Sequence, residues 1–148
     1  MILFINGSPN KDGNTARLAR ELIGDRPYEQ LNLAEHKVYG YGQNYGDDDF
    51  EDVLARIEAA DTLVVGSPVY WHNLSGMLRN LLDRFYGPVR EGSMSGKTLY
   101  FVFQGGAPTR EMLDWGEYTM KRFAALYGMT YGGMATNKNE ATKLAKNI

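Results

Sequence analysis

The chain is 148 residues long, which suits one domain of roughly 100–200 residues. Hydrophobic residues at 43% and charged residues at 23% give an average globular balance that excludes disordered, collagen-like and fibrous classes. A formal charge of −2 lacks the basic excess of a dedicated nucleic-acid binder, and the absence of cysteine removes disulfides, thiolate catalysis, iron–sulfur clusters and Cys-ligated zinc.

Met1-Ile-Leu-Phe-Ile5 is a continuous apolar run ended by Asn6-Gly7, the pattern of a strand buried on both faces. It is too short for the core of a secretion signal and lacks a basic flank. No later stretch reaches the roughly 20 apolar residues of a membrane span. A cytoplasmic protein is expected. Leu18, Ala19, Leu22 and Ile23 then fall at helical spacing, and Tyr28 to Leu33 reads as a more polar edge strand. A Tyr- and Gly-rich connection, residues 39–46, leads to the acidic start Asp47-Asp-Asp49 of a helix carrying Phe50, Val53, Leu54 and Ile57.

Thr62 to Val65, closed by Gly66, repeats the buried-strand signature. Leu74, Leu78, Leu81, Leu82 and Phe85 form the apolar stripe of a third helix. Thr98 to Phe103, closed by Gln104-Gly-Gly, is a third apolar strand. Met112, Trp115, Thr119, Phe123 and Leu126 predict a fourth helix that turns this stripe to the core and stops at Gly128. Met129 to Ala135 is a Gly-broken edge strand, and Ala141, Leu144, Ala145 and Ile148 mark a final short helix. This alternation demands a three-layer α/β domain over residues 1–148, with a parallel sheet and right-handed crossovers. Strands one, three and four are the most apolar, which predicts the strand order 2-1-3-4-5.

Ligands of such sheets sit beyond the carboxyl ends of the strands, where the order reverses. The first loop there is Gly7-Ser-Pro-Asn-Lys-Asp-Gly-Asn-Thr15. Ser8, Asn10, Asn14 and Thr15 offer side-chain donors, and the helix start offers free backbone N–H groups, a cradle for a phosphate. It is not a Walker A loop, since Asn14 stands where the Lys is needed and the glycine spacing is one residue too long. No G-x-G-x-x-G fingerprint, phosphatase Cys or acidic receiver pair is present.

The loop after the third strand, Gly66-Ser-Pro-Val-Tyr-Trp-His72, has Pro68 fixing the exit and offers Val69, Tyr70 and Trp71 to a planar aromatic ligand. His72 either meets that ligand or a loop carbonyl. Gln104, Gly105 and Gly106 can bring backbone N–H groups close to a heterocycle's polar edge. A phosphate, a planar ring and a polar edge together describe flavin mononucleotide (FMN). No His or carboxylate cluster has metal-ligand spacing, so no metal site is expected.

These residues resemble the NAD(P)H-dependent FMN reductase branch of the flavodoxin-like superfamily, which includes quinone reductases and iron–sulfur flavoproteins. The resemblance rests on Gly7-Ser-Pro-x-x-x-Gly-Asn-Thr15, on Ala60-Asp-x-x-x-x-Gly-Ser-Pro-Val-Tyr-Trp71, on Leu74-Ser-Gly76 and on Asp83-Arg84, and it runs the length of the chain. It implies that Ser8, Asn10, Asn14 and Thr15 hold the FMN phosphate. By the same resemblance Pro68, Val69, Tyr70 and Trp71 line the isoalloxazine, and Gln104, Gly105 and Gly106 approach its edge or the ribityl chain. NADH or NADPH is the implied co-substrate, with a quinone, flavin or similar small acceptor. No side chain is expected to act as an obligatory acid or base. A homodimer is implied by relatives that complete the pocket with a second subunit. The contrasting reading is a non-enzymatic flavodoxin-type electron carrier, whose phosphate loop is Thr/Ser-rich and whose surface is strongly acidic. Lys11, Arg17 and Arg110 are equally suited to a nicotinamide 2′-phosphate and to the bare surface, which leaves NADH against NADPH open.

Overall fold

A computed structural model of the chain describes residues 1–148. Strand β1 (Ile2–Asn6) leads to α1 (Asn14–Ile23), β2 (Tyr28–Asn32), a single 3₁₀ turn and α2 (Phe50–Ala59). Strand β3 (Thr62–Pro68), α3 (Gly76–Arg84), β4 (Thr98–Gln104), α4 (Arg110–Leu126), β5 (Thr130–Ala135) and α5 (Lys138–Leu144) follow. All five strands are parallel, in the order β2-β1-β3-β4-β5. The expected order therefore holds, with β2 and β5 at the edges.

The period-two alternation of a strand sorts the core into two layers. Leu3, Ile5, Leu63, Val65, Leu99, Phe101 and Phe103 point to one face and join the buried residues of α2, α3 and α4 in a cluster of 24. Phe4, Val64, Tyr100 and Val102 point to the other and meet α1 and α5 in a cluster of 11. The three-helix side carries most of the apolar burial.

The ends of β3 and β4 lie further along the chain than expected. Pro68 and Gln104 are the last residues of β3 and β4, paired with each other, rather than the first residues of loops. The central strands thus run further toward the ligand rim than their apolar runs alone suggest.

The register of α4 is also turned. Its buried residues are Leu113, Gly116, Met120 and Ala124, whereas Trp115 and Leu126 of the expected stripe stand 50% and 45% exposed. The reason lies at Gly116. A Cβ there would fall 2.3 Å from the Phe103 ring, so the helix rests directly on a large strand side chain. Small residues face the sheet because Phe101 and Phe103, stacked at 5.0 Å, already fill that layer.

The Tyr- and Gly-rich segment is an ordered strap. Arg84 donates to both oxygens of Asp48, one at 3.0 Å, and to the Tyr39 carbonyl at 3.1 Å, and it lies over the Phe50 ring at 4.7 Å. Asn80 donates to the Val38 carbonyl, and the Tyr39 and Tyr45 rings pack at 4.5 Å. The strap is fastened to α3, on the three-helix side.

Candidate functional site

Three loops, called first, third and fourth after the strands they follow, leave the carboxyl ends of β1, β3 and β4, and three hydrogen bonds close them into a triangle. Ser75 Oγ donates to the Gly7 carbonyl at 2.7 Å, joining the first loop to the third. The Val69 N–H donates to the Gln104 carbonyl at 2.7 Å, joining the third to the fourth. Gln104 Nε2 donates to Thr15 Oγ at 3.1 Å, joining the fourth back to the first. Gly7 sits at the tightest point. A Cβ there would lie 2.8 Å from the Gly66 carbonyl oxygen and 3.1 Å from Ser75 Oγ.

The first loop presents donors. The residue before α1 is Gly13, which has no side chain with which to cap the helix, while α3, α4 and α5 are capped by Ser75, Thr109 and Asn137. Arg17 is the first residue of the helix whose N–H finds a backbone acceptor, which leaves the amides of Asn14, Thr15 and Ala16 free. That orphan set, at the positive end of the helix dipole, fits a phosphate.

Ser8 is buried, and its Oγ accepts from the Asn10 N–H at 3.1 Å while keeping its own proton to donate. Thr15 is fully buried behind Gln104 and likewise keeps its proton. Asn14 is exposed, with its Oδ1 accepting from Arg17 and its amide nitrogen left over. Asn10 is exposed too, and its carbonyl is used inside the loop.

The third and fourth loops enclose a cavity of about 290 Å³. Val69, Trp71 and His72 line it from the third loop, Gly105 to Pro108 from the fourth, and Met112 from α4. Tyr70 to Asn73 is a two-residue hairpin turn in which Tyr70 and Asn73 exchange both backbone hydrogen bonds at 3.0 Å. Trp71 and His72 occupy its centre with φ of 46° and 67°, the left-handed region that a primed hairpin turn demands. Neither is glycine, so each costs about 1–3 kcal/mol of backbone strain. Trp71 is 93% exposed and cannot be a cap on the hydrophobic core.

The structure thus brings Ser8, Asn14, Thr15, Val69, Trp71, Gln104, Gly105 and Gly106 to one rim. Tyr70 is half exposed and is not a wall of the cavity. Pro68 is buried at the strand end. Ala107, Pro108 and Met112 line the cavity without a signal in the sequence, since Met112 falls in the apolar stripe that predicts the core face of α4. Asn6, which ends the apolar run of β1, is buried beneath the first loop. The candidate 2′-phosphate partners are all exposed. Arg110 is already paired with Asp114, Arg17 with Asn14, and Lys11 lies 3.9 Å from Glu35.

Residues 1–142 match the family model of the NADPH-dependent FMN reductases. The chain belongs to that family. It is 27% identical over 120 residues to YwqN of Bacillus subtilis (strain 168), which is assigned by name to the NAD(P)H-dependent FMN-containing oxidoreductases; the match covers 71% of this chain and 66% of that one. It is 33% identical over 96 residues to an iron–sulfur flavoprotein of Archaeoglobus fulgidus, covering 56% and 47% of the two chains. The chain spans about half to two thirds of the length of the curated relatives it matches. Among solved structures, the Trp repressor binding protein of Bacillus subtilis superposes with a TM-score of 0.80 at 22% identity over 97% of this chain and 98% of that one. This likeness bears out the flavodoxin-like fold.

Proposed function

We propose that this chain is an FMN-containing NAD(P)H oxidoreductase that passes reducing equivalents to a small planar acceptor such as a quinone or a flavin. The observation that carries this reading is the closed triangle of loops, with free helix-end donors at one corner and an open cavity between the other two. FMN held at this rim would supply two-electron chemistry between the nicotinamide and the acceptor.

The residues supply binding and electrostatics. The amides of Asn14 to Ala16 and the hydroxyls of Ser8 and Thr15 would hold the phosphate. Pro68, Val69 and Trp71 from one loop and Gly105 and Gly106 from the other would hold the ring, and the glycine N–H groups would favour developing negative charge. His72 is the one titratable side chain on the cavity wall. With no cysteine in the chain, electrons leave through the open cavity rather than through a thiolate-held cluster. No helix is long and apolar enough to cross a membrane.

The active form in this proposal is a homodimer. Trp115 and Tyr118 protrude from α4, 50% and 67% exposed, beside a groove of about 340 Å³ that runs between α3 and α4 and holds Tyr86, Phe123 and Leu126. Knob and groove on one face suit a two-fold axis, where each copy fills the other.

Steady-state oxidation of NADH and NADPH with menadione, on protein reconstituted with FMN, tests the reading. Turnover that requires FMN supports it. A protein that binds FMN yet oxidises neither nucleotide overturns it in favour of an electron carrier.

A further inference from the structure

The loop that faces the anion has carbonyl oxygens as well as donors, and something must keep them away from a phosphate. Asn6, the last residue of β1, is fully buried, with every polar atom of its side chain in use. Its Oδ1 accepts from the Ser8 N–H at 3.1 Å, which fixes the orientation of its amide. Its Nδ2 then donates to the Asn10 carbonyl and to Asn32 Oδ1, both at 3.2 Å. Gln30 stands beside Asn32 on the edge strand β2. Its Nε2 donates to Asn32 Oδ1 at 2.7 Å and to the Lys11 carbonyl at 2.9 Å. The chain of amides ends where Asn32 Nδ2 reaches Glu35 at 3.4 Å.

From this arrangement we infer that Asn6 and Gln30 are positioning residues that make the rim selective for a phosphate. They draw two acceptors of the loop, Asn10 O and Lys11 O, onto amide donors lying beneath it. With those two carbonyls occupied, the groups the loop has free toward the ligand include its donors: the Ser8 hydroxyl and the amides of α1's first turn. An anion prefers such a surface because each charge-assisted hydrogen bond is roughly twice as strong as a neutral one. A stray carbonyl beside the phosphate costs binding by repulsion. The amides touch no ligand themselves. They act through the backbone of residues 8–11, and the inference rests on the FMN reading of the rim.

Selectivity for FMN over riboflavin, which differs by the phosphate alone, is the readout. Flavin fluorescence titrations give dissociation constants for both ligands. Asn6→Asp keeps the shape and the acceptor for Ser8 but sets a carboxylate oxygen against the Asn10 and Asn32 oxygens. At about pH 7.5 this variant is expected to lose about tenfold or more in FMN affinity, the effect of one lost charge-assisted contact, while its riboflavin affinity stays within about threefold. Lowering the pH protonates the new carboxyl, restores a donor, and returns the FMN preference toward the wild-type value. Glu35 and Lys11 face the same network and Asp12, Arg17 and Arg20 lie on the adjoining loop and helix. All are present in both proteins, so the ratio of variant to wild type cancels their titration and that of the phosphate.

Gln30→Ala, on the edge strand, removes the donor to Lys11 without touching the core, and it decides the matter if Asn6→Asp does not fold. A loss of a few-fold for FMN and none for riboflavin supports the inference. Equal losses for both flavins, or an unchanged FMN preference in Gln30→Ala, overturn it while leaving the flavin reading intact. Wild-type protein that binds neither flavin overturns both.

Discussion

The corners of the rim proposed for the phosphate and for the ring are built on opposite principles. Around Ser8 to Thr15 the loop is held from within, by Asn6 and Gln30 beneath it, by Gln104 beside it and by Ser75 Oγ at Gly7. At Tyr70 to Asn73 the hairpin is stapled at its stem, where the Ser75 N–H donates to Ser67 Oγ at 2.9 Å and the Val69 N–H to the Gln104 carbonyl at 2.7 Å. Its tip carries two non-glycine residues in a strained conformation, one of them almost fully exposed. A rigid corner suits a group whose charge and shape never change. A strained, solvated tip suits a ring that must admit successive partners on its open face. Preorganisation is spent on the tail, and adaptability is kept for the head.

The sharpest contrast comes from ligand affinity. Thr15→Ala removes a buried hydroxyl donor and strands the Gln104 amide, so FMN binding should weaken by about 1–3 kcal/mol, roughly 5- to 150-fold, as read by fluorescence titration. Trp71→Ala should instead lower flavin affinity with no loss in the melting temperature of the apoprotein, because the side chain packs on nothing. The same asymmetry shows in stability. Replacing His72 by Gly relieves a positive φ and should raise apoprotein stability by about 1 kcal/mol in denaturant melts, a gain that no residue of the phosphate loop offers.

A smaller effect belongs to the strap. Arg84, then the N–H groups of Phe50 and Tyr39, hold the Asp48 carboxyl below the usual carboxylate range, against the opposing pull of burial. A carboxylate depressed in the folded state adds stability that is present above its unfolded value and is lost as pH falls through the folded one. Acid titration should therefore loosen residues 38–49 before the sheet opens, and Asp48→Asn should flatten that part of the profile when followed by amide exchange. Smallest of all, Trp115→Ala should change monomer stability by less than about 0.5 kcal/mol while shifting the sedimentation profile away from a dimer.

How much of this could be read from the sequence follows the same division. The sheet order was visible because buried parallel strands are written as unbroken apolar runs, and the phosphate loop because glycines, short amides and hydroxyls crowd one turn. The outward turn of α4 was not visible. Met112, Trp115 and Leu126 join Phe123 in as good an apolar stripe as Leu113, Met120 and Ala124; Phe123 does pack on the core, and the contact of Gly116 with Phe103 turns Trp115 and Leu126 away from it. The hairpin tip was hidden for a related reason, since Trp-His carries none of the Asn-Gly chemistry that announces such a turn. Asn6 looked like a terminator because its partners, Asn32 and Gln30, are brought to it only by the pairing of β1 with β2.

The central claim is that the rim formed by the three loops takes up FMN, tail at α1 and ring between residues 69–72 and 104–108. Backbone amide spectra of the apoprotein titrated with FMN test it residue by residue. The account predicts that the amides of Asn14, Thr15, Ala16, Gly105 and Gly106 move most, and that those of α2 and α5 stay still. Saturable binding that leaves these five amides in place, or moves only the groove between α3 and α4, would contradict it.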